Sequence, residues 1–158
     1  MASSLKNLSQ HSGKNLTDMT GKKFAIVVSE WNEEVTEALY SGAVQTLIEN
    51  GVSKDNILKK YVPGSYELIL GSQWLAQQDD IDAVISLGCV IQGETRHFDF
   101  ICDAVAQGIK DINLKYNKPV IFGVLTTDTM QQALDRAGGK HGNKGDEAAI
   151  TAIKMLGL

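Results

Sequence analysis

The chain has 158 residues, 43% of them hydrophobic and 22% charged, which is the composition of an ordinary globular protein of about one domain. Its 15 basic and 19 acidic side chains leave a formal net charge of −4, which argues against nonspecific binding to nucleic acid. The two cysteines, Cys89 and Cys102, suggest no disulfide framework and are typical of a protein of the reducing cytoplasm.

Residues 1–21 are polar and contain no apolar run of the roughly 7–15 residues that a signal peptide needs. We expect this segment to be a flexible arm, with an edge strand lent to a neighbouring chain as the alternative. No stretch of about 20 apolar residues occurs, so no membrane span is predicted. The remaining residues, 22–158, predict a single domain.

From residue 22 onward, short apolar runs rich in branched residues alternate with segments of helical periodicity. The predicted strands are 24–29, 57–62, 82–87 and 119–125, and the predicted helices are 33–50, 65–78, 98–116, 129–137 and 144–156. Parallel strands need crossover connections, and this alternation supplies them. The predicted fold is therefore α/β, a three-layer α/β/α sandwich with a flavodoxin-like four-stranded parallel sheet and helices on both faces.

Ligands of such sheets bind beyond the carboxyl ends of the strands, so the segments that follow the strands are the candidate site. After the first strand, the indole of Trp31 could stack on a planar heterocycle that Asn32 also binds. The alternative is that Asn32 caps a helix and Trp31 packs against it. After the second strand, Ser65 and Glu67 could bind the hydroxyls of a polyol, or they could only cap the next helix.

The segment after the third strand carries the most chemistry. Its glycines, the Thr95 hydroxyl and the following helix start form an anion site in principle, and His97 could transfer protons. The alternatives are an ordinary loop with a capping or surface histidine. Cys89 could be a nucleophile, although a buried thiol is the favoured interpretation. Helical spacing alone is weak evidence for a metal cluster of His97, Asp99 and Asp103, and no metal is predicted.

A segment with four glycines at 136–145 lacks the pattern of a phosphate-binding P-loop, because Asn143 stands where glycine is required before Lys144. We interpret Gly138 and Gly139 as a helix stop. Arg136 is the exception in this segment, since its planar guanidinium suits bidentate phosphate binding. No glycine fingerprint for a dinucleotide follows the first strand, so a dinucleotide cofactor is disfavoured.

Five motifs in order resemble one family, that of 6,7-dimethyl-8-ribityllumazine synthase, with matching spacing over residues 24–156. They are Ser-x-Trp-Asn at 29–32, Val-Pro-Gly-Ser-Tyr-Glu at 62–67, Gly-x-Val-Ile-x-Gly-x-Thr-x-His-Phe-Asp at 88–99, Pro-Val-Ile-Phe-Gly-Val-Leu-Thr at 119–126 and Ala-x-x-Arg-Ala-Gly at 133–138. Each motif alone is unspecific, whereas the five in sequence are highly specific.

The resemblance implies a transferase of riboflavin biosynthesis that needs no metal or organic cofactor. Its reaction condenses 5-amino-6-(D-ribitylamino)uracil with 3,4-dihydroxy-2-butanone 4-phosphate to 6,7-dimethyl-8-ribityllumazine, phosphate and water. The alternative is a non-enzymatic flavin- or lumazine-binding shell protein on the same fold. The presence of both His97 and Arg136 favours the enzyme, because a binder needs no phosphate clamp.

The resemblance also implies roles for the residues of these motifs. Trp31, where the family more often has Phe, stacks on the pyrimidine, and the backbone of Val90 and Ile91 reads the uracil edge. Ser65 and Glu67 bind the ribityl chain. The other substrate-binding residues around these groups are Asn32 and Tyr66.

For the phosphorylated substrate, the resemblance implies that Gly93, the Glu94 backbone, Thr95 and Arg136 hold the phosphate. His97 shuttles protons during the condensation. Catalysis is thus assigned to His97 and Arg136.

In the family, Phe122 and Arg136 reach the site of an adjacent subunit in a homopentamer. The short connection at 138–145 resembles that of members in which twelve pentamers close into an icosahedral shell, and association with riboflavin synthase is a further expected partnership. Gln92 departs from the family, in which this position is often basic.

Overall fold

Strands and helices alternate through residues 18–158, the part of the chain that the computed structural model describes. The strands are β1 (Phe24–Ser29), β2 (Ile57–Val62), β3 (Ala83–Ile91), β4 (Val120–Thr127), β5 (Ala137–Gly139) and β6 (Gly142–Asn143). The helices are α1 (Glu33–Glu49), α2 (Leu68–Ala76), α3 (His97–Tyr116), α4 (Met130–Leu134) and α5 (Lys144–Leu156), with a 3₁₀ turn at Lys54–Asn56. Of the arm predicted for residues 1–21, residues 1–17 lie outside the part of the chain that the structure describes. Within residues 18–158, no helix is long and apolar enough to cross a bilayer.

The main sheet has the strand order β2-β1-β3-β4, and all its neighbouring strands pair in parallel. Helices α1 and α5 cover one face of the sheet, and α2 and α3 cover the other. Successive side chains of a strand point to opposite faces, so each strand contributes to both sides of the core. The predicted four-stranded parallel sheet with helices on both faces is confirmed. Every residue of β1 is buried, as expected for a central strand that is covered on both sides.

The hydrophobic core of residues 18–158 consists of two clusters, one on each face of the sheet. Ile26 and Val28 pack toward α1 and α5, while Ala25 and Val27, their neighbours along β1, pack toward α2 and α3. Right-handed crossovers then decide which face each helix covers, because the connection from β1 to β2 runs across the sheet in the opposite direction to those from β2 to β3 and from β3 to β4.

Several element boundaries differ from the prediction. Strand β3 was predicted to end before Gly88 but continues to Ile91, because β4 pairs with it from Val84 to Ile91. Helix α2 begins at Leu68 instead of residue 65, and α4 covers only Met130–Leu134. The predicted helix stop at 138–139 is instead part of β5, which forms an antiparallel hairpin with β6.

Helices α1 and α5 cross so closely that their backbones touch at Gly145. A Cβ added to Gly145 would overlap the carbonyl oxygen of Leu39 and lie 2.7 Å from its carbonyl carbon. Backbone cannot move aside as a flexible side chain can, so this crossing requires glycine.

We therefore expect Gly145→Ala to lower the free energy of unfolding by about 2 kcal/mol or more, measured by denaturant titration at fixed protein concentration. Gly93→Ala is the matched control for this measurement, because nothing in residues 18–158 lies within 4 Å of its added Cβ. Equal unfolding midpoints for the two variants would contradict the close crossing.

Candidate active site

A cavity of about 600 Å³ lies at the carboxyl ends of β1 and β3, beside the starts of α2 and α3. Parallel strands end at the same edge of a sheet, and this topology brings distant sequence segments together there. Eight predicted site residues line it, namely Trp31, Asn32, Ser65, Tyr66, Glu67, Val90, Ile91 and His97. The other lining residues are Gly64, Cys89 and Ile101.

The turn after β1 is fixed to β3 through Asn32. This residue has a left-handed backbone (φ 62°), and its side chain does not cap α1. Its Nδ2 instead donates to the Cys89 carbonyl at 2.9 Å, so Asn32 occupies the N-cap position of α1 as the alternative interpretation has it, but its side chain does not cap the helix. The neighbouring Trp31 side chain is 73% exposed, so it does not pack against a helix and presents its ring to the cavity.

The Ser65 hydroxyl is buried at the cavity wall. Ser65 is only 6% exposed, and within residues 18–158 no hydrogen-bond partner lies near its Oγ. Gly88 makes room for it, since a Cβ there would lie 2.7 Å from the Ser65 Oγ. The N-cap of α2 is Glu67, and in the described part of the chain the Ser65 Oγ bonds no backbone group, so the alternative in which Ser65 caps α2 is wrong. A buried hydroxyl without a partner costs about 1–3 kcal/mol, and a ligand hydroxyl could satisfy it.

The Cys89 thiol is enclosed near the end of β3. Cys89 is 1% exposed, and burial raises its pKa to about 11. Because the nucleophilic form of cysteine is the thiolate, Cys89 is protonated and unreactive near neutral pH. The favoured interpretation, a buried thiol, is confirmed.

The loop between β3 and α3 borders the cavity. Gly93, Glu94 and Thr95 are exposed in this loop and do not line the cavity itself, whereas His97 opens α3 and does. The His97 N–H lies 3.4 Å from the Thr95 Oγ1, and no side chain caps α3 at its N-cap, Arg96. Thr95 thus serves as no more than a weak cap.

A second cavity of about 750 Å³ runs along β4, between α3 and α5, and shares no lining residue with the first. It contains the two remaining predicted residues, Phe122 and Arg136. Phe122 is 42% exposed on the edge strand, and the Arg136 Nη1 donates to the Gln132 carbonyl at 2.9 Å. Within one chain, the structure therefore does not bring these two residues to Trp31 and His97.

The second cavity also contains two charged residues that the sequence motifs did not indicate. Lys144 and Glu147 form an ion pair in the first turn of α5, close to Arg136 in the same cavity wall. Their signal in the sequence was an i, i+3 pair of opposite charges at a helix start, which is common on solvated helices. Among residues 18–158, no group of three or more His, Cys, Asp or Glu side chains is arranged to hold a metal ion.

The flavodoxin-like parallel sheet, with a cavity at its carboxyl edge, places the chain in the class of α/β proteins that bind ligands at strand ends. Residues 21–158 match the family model of 6,7-dimethyl-8-ribityllumazine synthase. A protein of that name from Cytophaga hutchinsonii is 65% identical over 156 residues, covering 99% of this chain and 98% of its own. Proteins of the same name from Parabacteroides distasonis and Porphyromonas gingivalis are 54% and 53% identical, covering 99% and 100% of this chain and 98% of each relative. The chain belongs to the 6,7-dimethyl-8-ribityllumazine synthase family, whose members are transferases of riboflavin biosynthesis.

We expect Cys89 to resist alkylation by iodoacetamide in the native protein at pH 7.5, because its raised pKa leaves almost no thiolate and burial blocks access. Unfolding in guanidinium should make it fully reactive, and peptide mass spectrometry distinguishes it from Cys102. Equal labelling of Cys89 in the native and unfolded states would contradict both its burial and its protonation.

Proposed function

We propose that this chain catalyses its family's reaction at the first cavity. In that reaction 5-amino-6-(D-ribitylamino)uracil and 3,4-dihydroxy-2-butanone 4-phosphate give 6,7-dimethyl-8-ribityllumazine, phosphate and water. The observation that carries this proposal is the convergence in one cavity of an exposed indole, an imidazole and a buried hydroxyl that has no partner among residues 18–158. These three groups match a flat heterocycle, its polyol chain and a reaction that moves protons.

The pyrimidine binds between Trp31 and the end of β3. Strand β1 pairs with β3 only as far as Leu87, so the last residues of β3 have no strand partner on that side within residues 18–158. The Cys89 carbonyl faces this side, because it accepts from Asn32. Backbone direction alternates along a parallel strand, so the N–H and C=O groups of Ile91 face the same side. This favours Ile91 over Val90 for hydrogen bonds to the uracil edge.

The ribityl chain runs along the start of α2. Ser65 offers its unpartnered hydroxyl there, and the exposed side chains of Tyr66 and Glu67 line the same wall. A polyol supplies several donors and acceptors, which satisfies the buried oxygen at little cost.

The phosphate of the second substrate binds at the loop that contains Gly93, Glu94 and Thr95, with Arg136 as its cationic partner. Phosphate leaves with negative charge, so the guanidinium and the backbone N–H groups stabilise the transition state most as that bond breaks. His97, at the border of loop and cavity, transfers protons between the reacting atoms. Holding two substrates in register supplies much of the rate gain.

The separation of the two cavities supports a site that two subunits build. We infer a homopentamer in which Phe122 and Arg136 of one subunit complete the first cavity of its neighbour. The short β5–β6 hairpin favours the closure of twelve pentamers into a shell, with riboflavin synthase as an associated partner. Two free cysteines without a disulfide fit a cytoplasmic location.

The decisive experiment mixes the purified protein with the two substrates and follows lumazine absorbance. We expect turnover well above the uncatalysed rate, and His97→Ala should lower kcat by roughly 100-fold yet leave measurable turnover, since positioning persists. Lumazine binding without turnover by the wild-type protein would instead favour the non-enzymatic binder. Complete loss of turnover by a folded His97→Ala protein would show that His97 does more than transfer protons.

We expect Arg136→Ala to raise KM for the phosphorylated substrate by about 10-fold or more and to change KM for the pyrimidine less than two-fold. Lys110→Ala is the control, since Lys110 is an exposed cation of α3 outside both cavities. An equal rise in both KM values would contradict the phosphate role.

The same variant tests the shared site. Trp31→Ala and Arg136→Ala subunits, refolded together in equal amounts, should regain up to about one quarter of wild-type activity, because such mixtures pair an intact first cavity with an intact second one. Trp31→Ala mixed with His97→Ala should regain nothing beyond the residual activity of the two variants, since both defects lie in the first cavity. Equal recovery in both mixtures would contradict a site built by two subunits.

A further inference from the structure

We propose that Gln92 is a positioning residue that turns the backbone N–H groups of the phosphate loop outward, toward the phosphorylated substrate. The inference rests on the proposed function, because it concerns how that same site holds its phosphate. Gln92 is the first residue after β3, and its own N–H donates to the Thr127 carbonyl at 2.8 Å, which anchors it to the end of β4.

The side chain of Gln92 folds back over the loop that it begins. Its Nε2 donates to the Gly93 carbonyl at 2.8 Å and lies 3.4 Å from the Thr95 carbonyl oxygen, a longer and weaker contact. The side-chain amide of Gln92 thus contacts two carbonyl oxygens of a loop that is otherwise exposed.

The direction of these carbonyls decides the direction of the neighbouring N–H groups. A trans peptide is planar, with its C=O and N–H pointing in opposite directions. Turning the Gly93 carbonyl toward Gln92 therefore turns the Glu94 N–H away from it, and the Thr95 carbonyl does the same for the Arg96 N–H. Within residues 18–158, neither of these two N–H groups has an acceptor at hydrogen-bond distance.

Two such donors on the outer side of a loop, directly before the N-terminus of the 20-residue helix α3, suit a phosphate group. Gln92 carries no charge, so its contribution is to hold the loop in this conformation before the substrate arrives. The cation next to this loop, Arg96, forms an ion pair with Asp99, with 3.2 Å between its Nε and the Asp99 Oδ2. Such preorganisation strengthens binding, because the loop loses less conformational entropy when the phosphate binds.

The test compares Gln92→Met, which keeps the length of the side chain but has no donor, with Gln92→Glu, which also adds repulsion. We expect KM for 3,4-dihydroxy-2-butanone 4-phosphate to rise about five-fold in the first and more than 10-fold in the second. The Ki of inorganic phosphate as a competitor should rise in parallel, and KM for the pyrimidine should stay within two-fold. The Gln92→Met effect should not depend on salt, because it involves no change of charge.

Gln78→Glu serves as the charge-matched control, since Gln78 is an exposed residue outside both cavities. A wild-type KM and phosphate Ki in Gln92→Met, or a parallel rise of both substrate KM values, would overturn the proposal while leaving the enzyme activity intact. Absence of turnover in the wild-type protein would overturn the proposed function itself, so the two failures are distinguishable.

Discussion

The parallel pairing of β1 with β3 is the constraint on which the first cavity depends. Strand β3 continues beyond Leu87, its last residue paired with β1, and in the described part of the chain no strand pairs with the backbone of β3 on that side from there on. The turn after β1 packs over this end of β3. The Asn32 side chain connects the turn to the strand by donating a hydrogen bond to the Cys89 carbonyl. Gly88 lies in the same stretch and admits Ser65 because it has no side chain. A different strand order would disperse all of these groups.

The sequence was sufficient for the parts of the fold that depend on local pattern. Strands β1 and β2 and helix α5 lie where the apolar runs and periodicity predicted them. The extension of β3 beyond Gly88 could not be predicted, because it is stabilised by pairing with a strand more than thirty residues away. The same applies to Asn32, a good capping residue by type that bonds across the sheet instead. The rule that ligands bind at strand ends nevertheless selected most of the residues that line the first cavity.

The distribution of cations explains how an acidic chain can take a phosphorylated substrate. A net charge of −4 describes the whole molecule, whereas binding depends on the local field. Arg136 and Lys144 line the second cavity, and the first cavity contains neither. Under the proposed assembly, positive charge therefore enters each site from outside its own subunit. An isolated subunit would hold the heterocycle but lack most of the attraction for its phosphorylated partner.

The buried hydroxyl of Ser65 has a consequence for fidelity. A cell contains many flat heterocycles that an exposed indole could stack on, and stacking alone discriminates poorly among them. A site that must pair a buried polar atom rejects molecules that lack the matching group far more strongly than an apolar pocket rejects a small change in size. Under the proposed binding of the ribityl chain at Ser65, a pyrimidine without the polyol would leave this oxygen unpaired in the complex. In that arrangement, one small side chain beside Gly88 would allow the cavity to discriminate by the tail of the substrate rather than by its ring.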